Sequence, residues 1–570
     1  MRTQEARKPY NDWPNDKGFN SGYEERTPVE LNIKGDIPSW AAGTLYRTGT
    51  GVSEIETRKD KTFRVRHFFD SMAVVHRFQI LAPDSENPSV RVLYNSRSTC
   101  DGLIEEIKRT GNRESITFAA KYDPCMSYFK KVMSLFNPTY GETEPDDRTM
   151  SVTLSVNFPG LKSPGSDEAS YERGSGIKTL CNKTDNSDLQ MLDPETLEPV
   201  GMAEQKDLHP DLKGAFSCAH AKSDPATGDV YNYNMEPGMS STYRVFHVSA
   251  STGKTSIIAT IPNADAAYIH SFFLTEHYVI LCVWNSFYSM GGAPVLWKRN
   301  IVDALADYDP SRPARWYIID RRTPAEGGKG LLTMCESEPF FCFHTVNAYE
   351  EQYIEGTVDV VADLIAYPNL DCLKRFYLTN LMSTSPDAEE WAAPTNTSWR
   401  PLIKRFRIAS IPSTTSEPTL PEDHINPTKV TLEFSSNELE APELPTLNPL
   451  HVTKPYRYLY GVMDAGDSAF FGGLIKYDML THEKKKWSHH GQSAGEPIFV
   501  PRNRKLTSPG EEDDGVLLSV VLDGPAGKSY LLVLDARSMV EVGRAEVDGA
   551  IGFGLHGTHV PAFEGRGLDF

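Results

Sequence analysis

Four histidines lie far apart in the chain, each inside a short aromatic-flanked phrase. His220 stands in FSCAHAKSDPATGDVYNYN, His270 in AAYIHSFFLTEHYVIL, His344 in FFCFHTVNAYEE and His556 in IGFGLHGTHVP. Neutral imidazoles are good ligands for divalent transition metals, and four of them leave the ion its full charge. At octahedral geometry two positions stay open. Structural zinc prefers thiolates and catalytic zinc usually takes three protein ligands, so the set suits Fe(II) and oxygen chemistry better. It differs even so from the common two-histidine, one-carboxylate arrangement. Three carboxylates stand in equally distinctive phrases: Asp185 in NKTDNSDLQ, Glu443 in APELPTLNP and Glu496 in GEPIFVP. A ligating imidazole generally gives its second N–H to such a group, which fixes its tautomer and orientation. The competing readings are plain: fifteen histidines leave room for structural ones, and an acidic chain has many loop carboxylates.

Ligands this dispersed need a closed fold that returns distant strands to one axis. The chain offers many short β-branched and aromatic runs between Gly, Pro, Asn and Asp, among them FRVRHFF, VRVLYNS, HYVILCVW, GVLLSVVLD and SYLLVLDAR. Their alternation predicts an all-β protein. Phrases such as DPATGDVY, LDPETLEP and LDARSMVEVGRAEV read as hairpins of propeller blades, although no fixed-period repeat is visible. Residues 1–570 read as one domain, with 143–176 as a loop insertion. One segment has helical spacing: Met126, Phe129, Met133 and Phe136 within 125–138, with Lys130 and Lys131 on another face. It reads either as a helix packed on the core or as one that dips into a membrane.

Charge and composition remove several classes. A net charge of −19 argues against a nucleic-acid partner and against electrostatic docking on anionic lipid. Eight scattered cysteines without a CxxC pair read as reduced, buried thiols. The polar N-terminus has no apolar signal region, and no run approaches a membrane span. No Rossmann or P-loop motif calls for an organic cofactor.

Taken in order, the phrases resemble the carotenoid cleavage oxygenases. The resemblance runs through GDIPSWAAGTLYRTGTG, HFFDSMAVVHRFQI, DPCMSYFKKVMSLF, LDPETLEP, the four histidine phrases, PELPTLNP, GEPIFVPR and EDDGVLLSVVLD. It implies a seven-bladed β-propeller, with helices and loops capping the face above the metal site. It also implies Fe(II) held by His220, His270, His344 and His556. Asp185, Glu443 and Glu496 match the family's outer acids, expected behind His270, His344 and His556 respectively. Asp185 stands where many members carry Glu, so a less direct reach, through water, is expected there. Leu555 replaces a frequent Phe, and His559 is the nearby histidine not expected to bind metal. A small residue that crowds one open iron position is expected at Thr153 or Ser155.

The implied reaction is O2-dependent cleavage of a conjugated double bond in a lipophilic polyene. NDWPNDKGF, YEERTPVEL and GTLYRTGTG are most similar to the fungal torulene dioxygenase group, which implies torulene or a related carotene as substrate and aldehyde apocarotenoids as products. A cytoplasmic enzyme peripherally attached to membranes or lipid bodies is the matching expectation, with the helix at 125–138 as its membrane-dipping entrance. Two rivals remain. Stilbene cleavers of this fold use a Tyr–Lys pair with Lys just before the first acid, where this chain has Thr184, preceded by Lys183. A non-catalytic propeller would have no use for internal histidines.

Overall fold

The computed structural model describes residues 8–113, 115–119, 144–162, 176–352, 356–414, 428–464, 466–503, 511–562 and 569. Its architecture is a seven-bladed β-propeller with short helices and loops at the periphery. Six blades follow one another along the chain, and their innermost strands set the ring. Blade 1 begins with Thr153–Val156, blade 2 with Phe216–Ser217 and Lys222–Ser223, and blade 3 with Phe273–Leu274. Blade 4 begins with Phe341–Gln352, blade 5 with Glu443–Thr446, and blade 6 with Gln492–Ala494 and Ile498–Pro501. Each then steps outward through antiparallel hairpins. Alternate residues of the middle strands pack between neighbouring blades, which is why Tyr278–Val283 and Leu531–Leu534 are buried on both faces.

Blade 7 closes the ring with both ends of the chain. Its inner strand Gly557–Pro561 pairs antiparallel with Gly43–Arg47, followed outward by Ala73–Leu81 and Arg91–Ser98. A second splice adds Asn32–Gly35 to the outer edge of blade 6, against Gly543–Glu546. The pairing within blade 7 ties the late strand Gly557–Pro561 to the early strand Gly43–Arg47 and so closes the ring.

Two sequence expectations change. The stretch 143–176 is not simply an insertion, because VTLSV within it supplies the inner strand of blade 1, buried along Thr153–Val156. Polar neighbours hid a strand whose short alternation is all that four residues can show. FRVRHFF is not one continuous strand either: Thr62–Arg64 pairs as a short strand, His67 makes a single bridge to Tyr377, and Phe68–Asp70 forms a 3₁₀ turn. His67 caps that turn, its Nδ1 accepting the Phe69 N–H at 3.3 Å, and Phe68 and Phe69 are thrown over one face of the propeller. The proposed helix at 125–138 lies outside the described residues. Among the described residues no helix is long and apolar enough to cross a membrane.

Candidate metal centre

Each of the seven blades brings one of the seven predicted site residues to the axis. His220 lies between the two short inner strands of blade 2, His270 just before Phe273–Leu274 of blade 3, His344 on Phe341–Gln352 of blade 4, and His556 just before Gly557–Pro561 of blade 7. Asp185 occupies the turn of blade 1 between Leu180–Lys183 and Asp188–Leu192, Glu443 opens blade 5, and Glu496 lies between the inner segments of blade 6. Local irregularity aims two of them. The ladder slips between Cys342 and Thr345 around His344, and again between Glu443 and Thr446. Bulges of this kind re-aim a side chain that regular pleating would turn away. Leu444 also adopts a left-handed φ of 47°, which turns its N–H onto the Glu443 carboxylate at 2.9 Å.

The four imidazoles are buried and converge so that their ligand atoms all lie within 4.8 Å of one another. His220 Nε2 and His344 Nε2 stand 3.0 and 3.2 Å from His556 Nε2. His344 Nδ1 meets Glu443 Oε2 at 2.6 Å, and His556 Nδ1 meets Glu496 Oε1 at 2.7 Å. Each of these two rings uses its only N–H on a carboxylate, so both Nε2 atoms present lone pairs to each other across 3.2 Å. No hydrogen bond can join two acceptors; a cation between them can. Burial pushes His344 down to about 4, against the pull of Glu443, and holds His220 and His556 well below the ordinary imidazole range. These three rings are thus held as neutral donors, and the four-histidine cluster is arranged for a single metal ion. Its all-imidazole donor set fits non-haem Fe(II).

The carboxylates are held as firmly as they hold. Glu443 Oε1 accepts the Tyr367 hydroxyl, and Glu496 Oε2 accepts the Gly557 N–H at 2.8 Å. Arg47, itself buried, donates from Nη1 to the Glu496 carbonyl at 2.7 Å and lies 3.8 Å from Oε2. Burial raises Glu496 to about 7, with Arg47 and the Gly557 N–H acting in opposition. For Glu443, burial is outweighed by His344, Tyr367 and the Leu444 N–H, and its carboxyl lies below the usual range. Asp185 corrects an expectation: both of its oxygens lie 2.9 Å from His270 Nδ1, with no water needed between them.

The sequence profile of the retinal pigment epithelial membrane protein family matches residues 18–561. A carotenoid dioxygenase of Neurospora crassa is 40% identical, over 97% of this chain and 92% of that protein. A torulene dioxygenase of Gibberella fujikuroi is 38% identical, over 96% of this chain and 94% of that one. The chain belongs to the carotenoid cleavage oxygenase family. A solved structure of a Synechocystis apocarotenoid oxygenase variant superimposes with a TM-score of 0.69 at 22% identity, covering 97% of this chain and 98% of that one, which shows the shared fold.

In this family member, His270, His344 and His556 open onto a cavity of about 1710 Å³. Aromatic rings dominate the wall nearest the histidines: Phe69 packs at 5.0 Å on Phe118, at 4.9 Å on Phe376 and at 5.8 Å on Phe343. Leu555 lines the cavity, as expected for a residue beside His556. His559 lies on the blade 7 strand opposite Leu45, outside the cluster. Both candidates for the crowding residue lie on the inner strand of blade 1, Thr153 beside the carbonyl that precedes His220. Thr153 donates its hydroxyl to the Ala219 carbonyl at 2.6 Å and Ser155 donates to Asp569, while Val152 lines the wall. Three partners of the acids, Tyr268, Tyr367 and Arg47, went unrecognised in the sequence. Only Tyr268 carried a signal, because residues two apart on an extended segment share a face and it precedes His270 by two.

Proposed function

We propose that this chain is a non-haem Fe(II) dioxygenase that cleaves a conjugated C=C bond of a carotenoid, torulene or a related carotene, with O2. The double bond and both oxygen atoms are consumed to form two carbonyl groups, giving aldehyde apocarotenoids. The observation that carries this reading is the set of converging imidazoles at the floor of a cavity of about 1710 Å³ whose wall nearest them is aromatic. His220, His270, His344 and His556 hold the metal in this reading, and Asp185, Glu443 and Glu496 orient three of them. Bound iron supplies the redox centre for the reaction with O2. The protein's own part is to fix the four Nε2 atoms, keep the imidazoles neutral, and hold an apolar polyene against them with water excluded. The names of the Neurospora and Gibberella relatives support the carotenoid assignment.

Lys183 weighs against a stilbene substrate. Its ammonium is buried and bound to Asp569 Oδ1 at 2.8 Å, while Thr184 is the neighbour that lines the cavity. The pair that engages a phenolic hydroxyl is therefore not presented to a substrate. Aerobic incubation with torulene, β-carotene and resveratrol, followed by mass identification of products, tests the assignment. Aldehydes from a carotene are expected; cleavage of resveratrol alone would overturn it.

The same reading includes peripheral attachment to a carotene-bearing bilayer. At the cavity mouth Leu296 is 63% exposed and Ile116 is 51% exposed, and both line the cavity. Trp297, Met290 and Met239 extend this apolar rim, the last on a loop whose Gly238 packs backbone-to-backbone on Gly291. This rim is the place at which a polyene leaving a membrane would enter the cavity.

A further inference from the structure

Asp185 faces a mechanical problem that the two glutamates do not. Glu443 and Glu496 each serve a histidine on an adjoining blade, whereas Asp185 leaves blade 1 and meets His270 at the entry to blade 3. Blade 2 lies between, and the side chain is one methylene shorter. The backbone covers most of the distance. The turn 184–187 is stitched along the start of blade 2: Ser187 N–H donates to the Ala215 carbonyl at 3.2 Å, and Ser217 N–H donates to the Asp185 carbonyl at 3.0 Å. Asn186 forms a bridge with Phe216 between these bonds.

The carboxylate that arrives there straddles one N–H, with both oxygens 2.9 Å from His270 Nδ1. A group bisected in this way has two equivalent acceptors and nothing in that bond to stop it rocking. The Ala219 N–H fixes Oδ1 at 3.1 Å. The Tyr268 hydroxyl stands 2.9 Å from Oδ2 and 3.1 Å from His270 Nδ1. Nδ1 spends its proton on Asp185, so the hydroxyl proton goes to Oδ2. The Tyr268 ring is only 3% exposed and sits edge-on to Phe118 at 5.5 Å, which leaves the hydroxyl little freedom.

We propose that Tyr268 is the positioning residue of the His270 arm, its hydroxyl locking the short carboxylate of Asp185 in line with the imidazole. The proposal rests on the reading that His270 is one of four metal-holding residues. It requires Tyr268 and Asp185 to act as one unit. Outer partners of metal ligands are worth about ten- to a hundredfold in metal affinity. Tyr268→Phe is expected to weaken Co2+ binding to the metal-free protein about tenfold, and Asp185→Asn by a similar factor. In the Asp185→Asn background, Tyr268→Phe should cost less than about threefold, since the charge it anchors is gone.

The assay is competitive Co2+ titration of the full chain, with the visible ligand-field spectrum recorded at saturation. The spectrum should shift in each single variant, which a merely structural ring would not cause. Should Tyr268→Phe fail to fold, 4-methylphenylalanine at the same position keeps the ring's length without a donor, and 4-aminophenylalanine restores one. Loss with the first and recovery with the second are expected. Independent, multiplying losses, or an unchanged affinity in the donorless variants, would overturn the proposal. Absence of Co2+ binding by the unaltered chain would instead refute the metal reading beneath it.

Discussion

The apolar rim at the cavity mouth yields a prediction whose size follows from exposure. A tryptophan buries roughly 150–250 Å² when fully covered, so the half of Trp297 that is exposed offers about 100 Å² to a bilayer, or about 2.5 kcal/mol at 25 cal/mol per Å². Leu296, 63% exposed, adds about 1–2 kcal/mol on the same scale. Replacing both with Asp removes about 4 kcal/mol of apolar transfer and adds two charges that resist desolvation. The partition coefficient on neutral phosphatidylcholine vesicles should therefore fall at least about a hundredfold, where 1.4 kcal/mol is a factor of ten. Vesicle sedimentation at several lipid concentrations measures it. Because Leu296 also lines the cavity, the pair Met239→Asp and Met290→Asp separates docking from substrate contact; those residues are 87% and 65% exposed and do not line it. With a net charge of −19, the unaltered chain should bind anionic vesicles no better than neutral ones. Partitioning within threefold of the unaltered chain in both pairs, or binding driven by anionic lipid, would refute this reasoning.

The centre itself gives sharper tests. His344→Ala should lose its iron to background by elemental analysis and lose carotene cleavage by more than about a hundredfold, since it removes a donor and leaves Glu443 facing an empty space. Tyr367→Phe deletes a hydrogen bond to a buried carboxylate, worth about 1.5–3 kcal/mol, and should weaken Co2+ affinity at least about tenfold with the fold intact by circular dichroism. Chelation of the metal should lower the melting temperature and speed amide exchange at 557–561, the strand that follows His556, since a ligand bound only by the native state stabilises it. Asp478 gives a stability test remote from the metal. Burial raises this carboxyl, but Arg457 and the Leu480 and Thr481 N–H groups outweigh it and hold it at about 2. Its contribution is complete above the unfolded value of about 3.9 and is lost as pH falls through about 2. The gap in urea midpoint between the unaltered chain and Asp478→Asn should thus narrow from pH 6 to pH 2.5; a constant gap would contradict the assignment.

Most of the donor set was legible because its chemistry tolerates few substitutes. Only histidine gives a neutral nitrogen ligand, and its neighbours must be small or aromatic to wall a cavity, so phrases such as FFCFH and GLHG stand out. The propeller was legible for a related reason, since hairpins of alternating residues need little sequence to declare themselves. What stayed hidden depends on which blades touch. Nothing near Arg47 or Tyr367 in sequence says that Glu496 or Glu443 will lie beside it. The directness of the Asp185 contact does not follow from side-chain length, because the turn 184–187 is carried bodily onto blade 2. The apolar rim escaped notice because PVLWK is too short for a period to register, whereas 125–138 shows the period plainly.

Seven blades and seven site residues form a correspondence with consequences for how such a centre can vary. In the proposed reading four positions of the inner ring are donors and three are supports, so no blade is spare and none can change role without removing either a ligand or an orienter. The two glutamates sit on blades 5 and 6, flanked by the donors of blades 4 and 7 that they serve, and each needs only to lean sideways. Blade 1 has a donor neighbour on each side, yet its acid serves neither of them. It passes His220 of blade 2, borrows the N–H of Ala219 on the way, and engages His270 on blade 3. Among the three acid–histidine pairs, the His270 arm is therefore the one in which ring geometry does not by itself supply an adjacent partner, and it is where the chain uses a backbone stitch, a second N–H and a buried phenol together. A change in carboxylate length there is a change in how three blades are coupled, whereas the same change at Glu443 or Glu496 would involve only two.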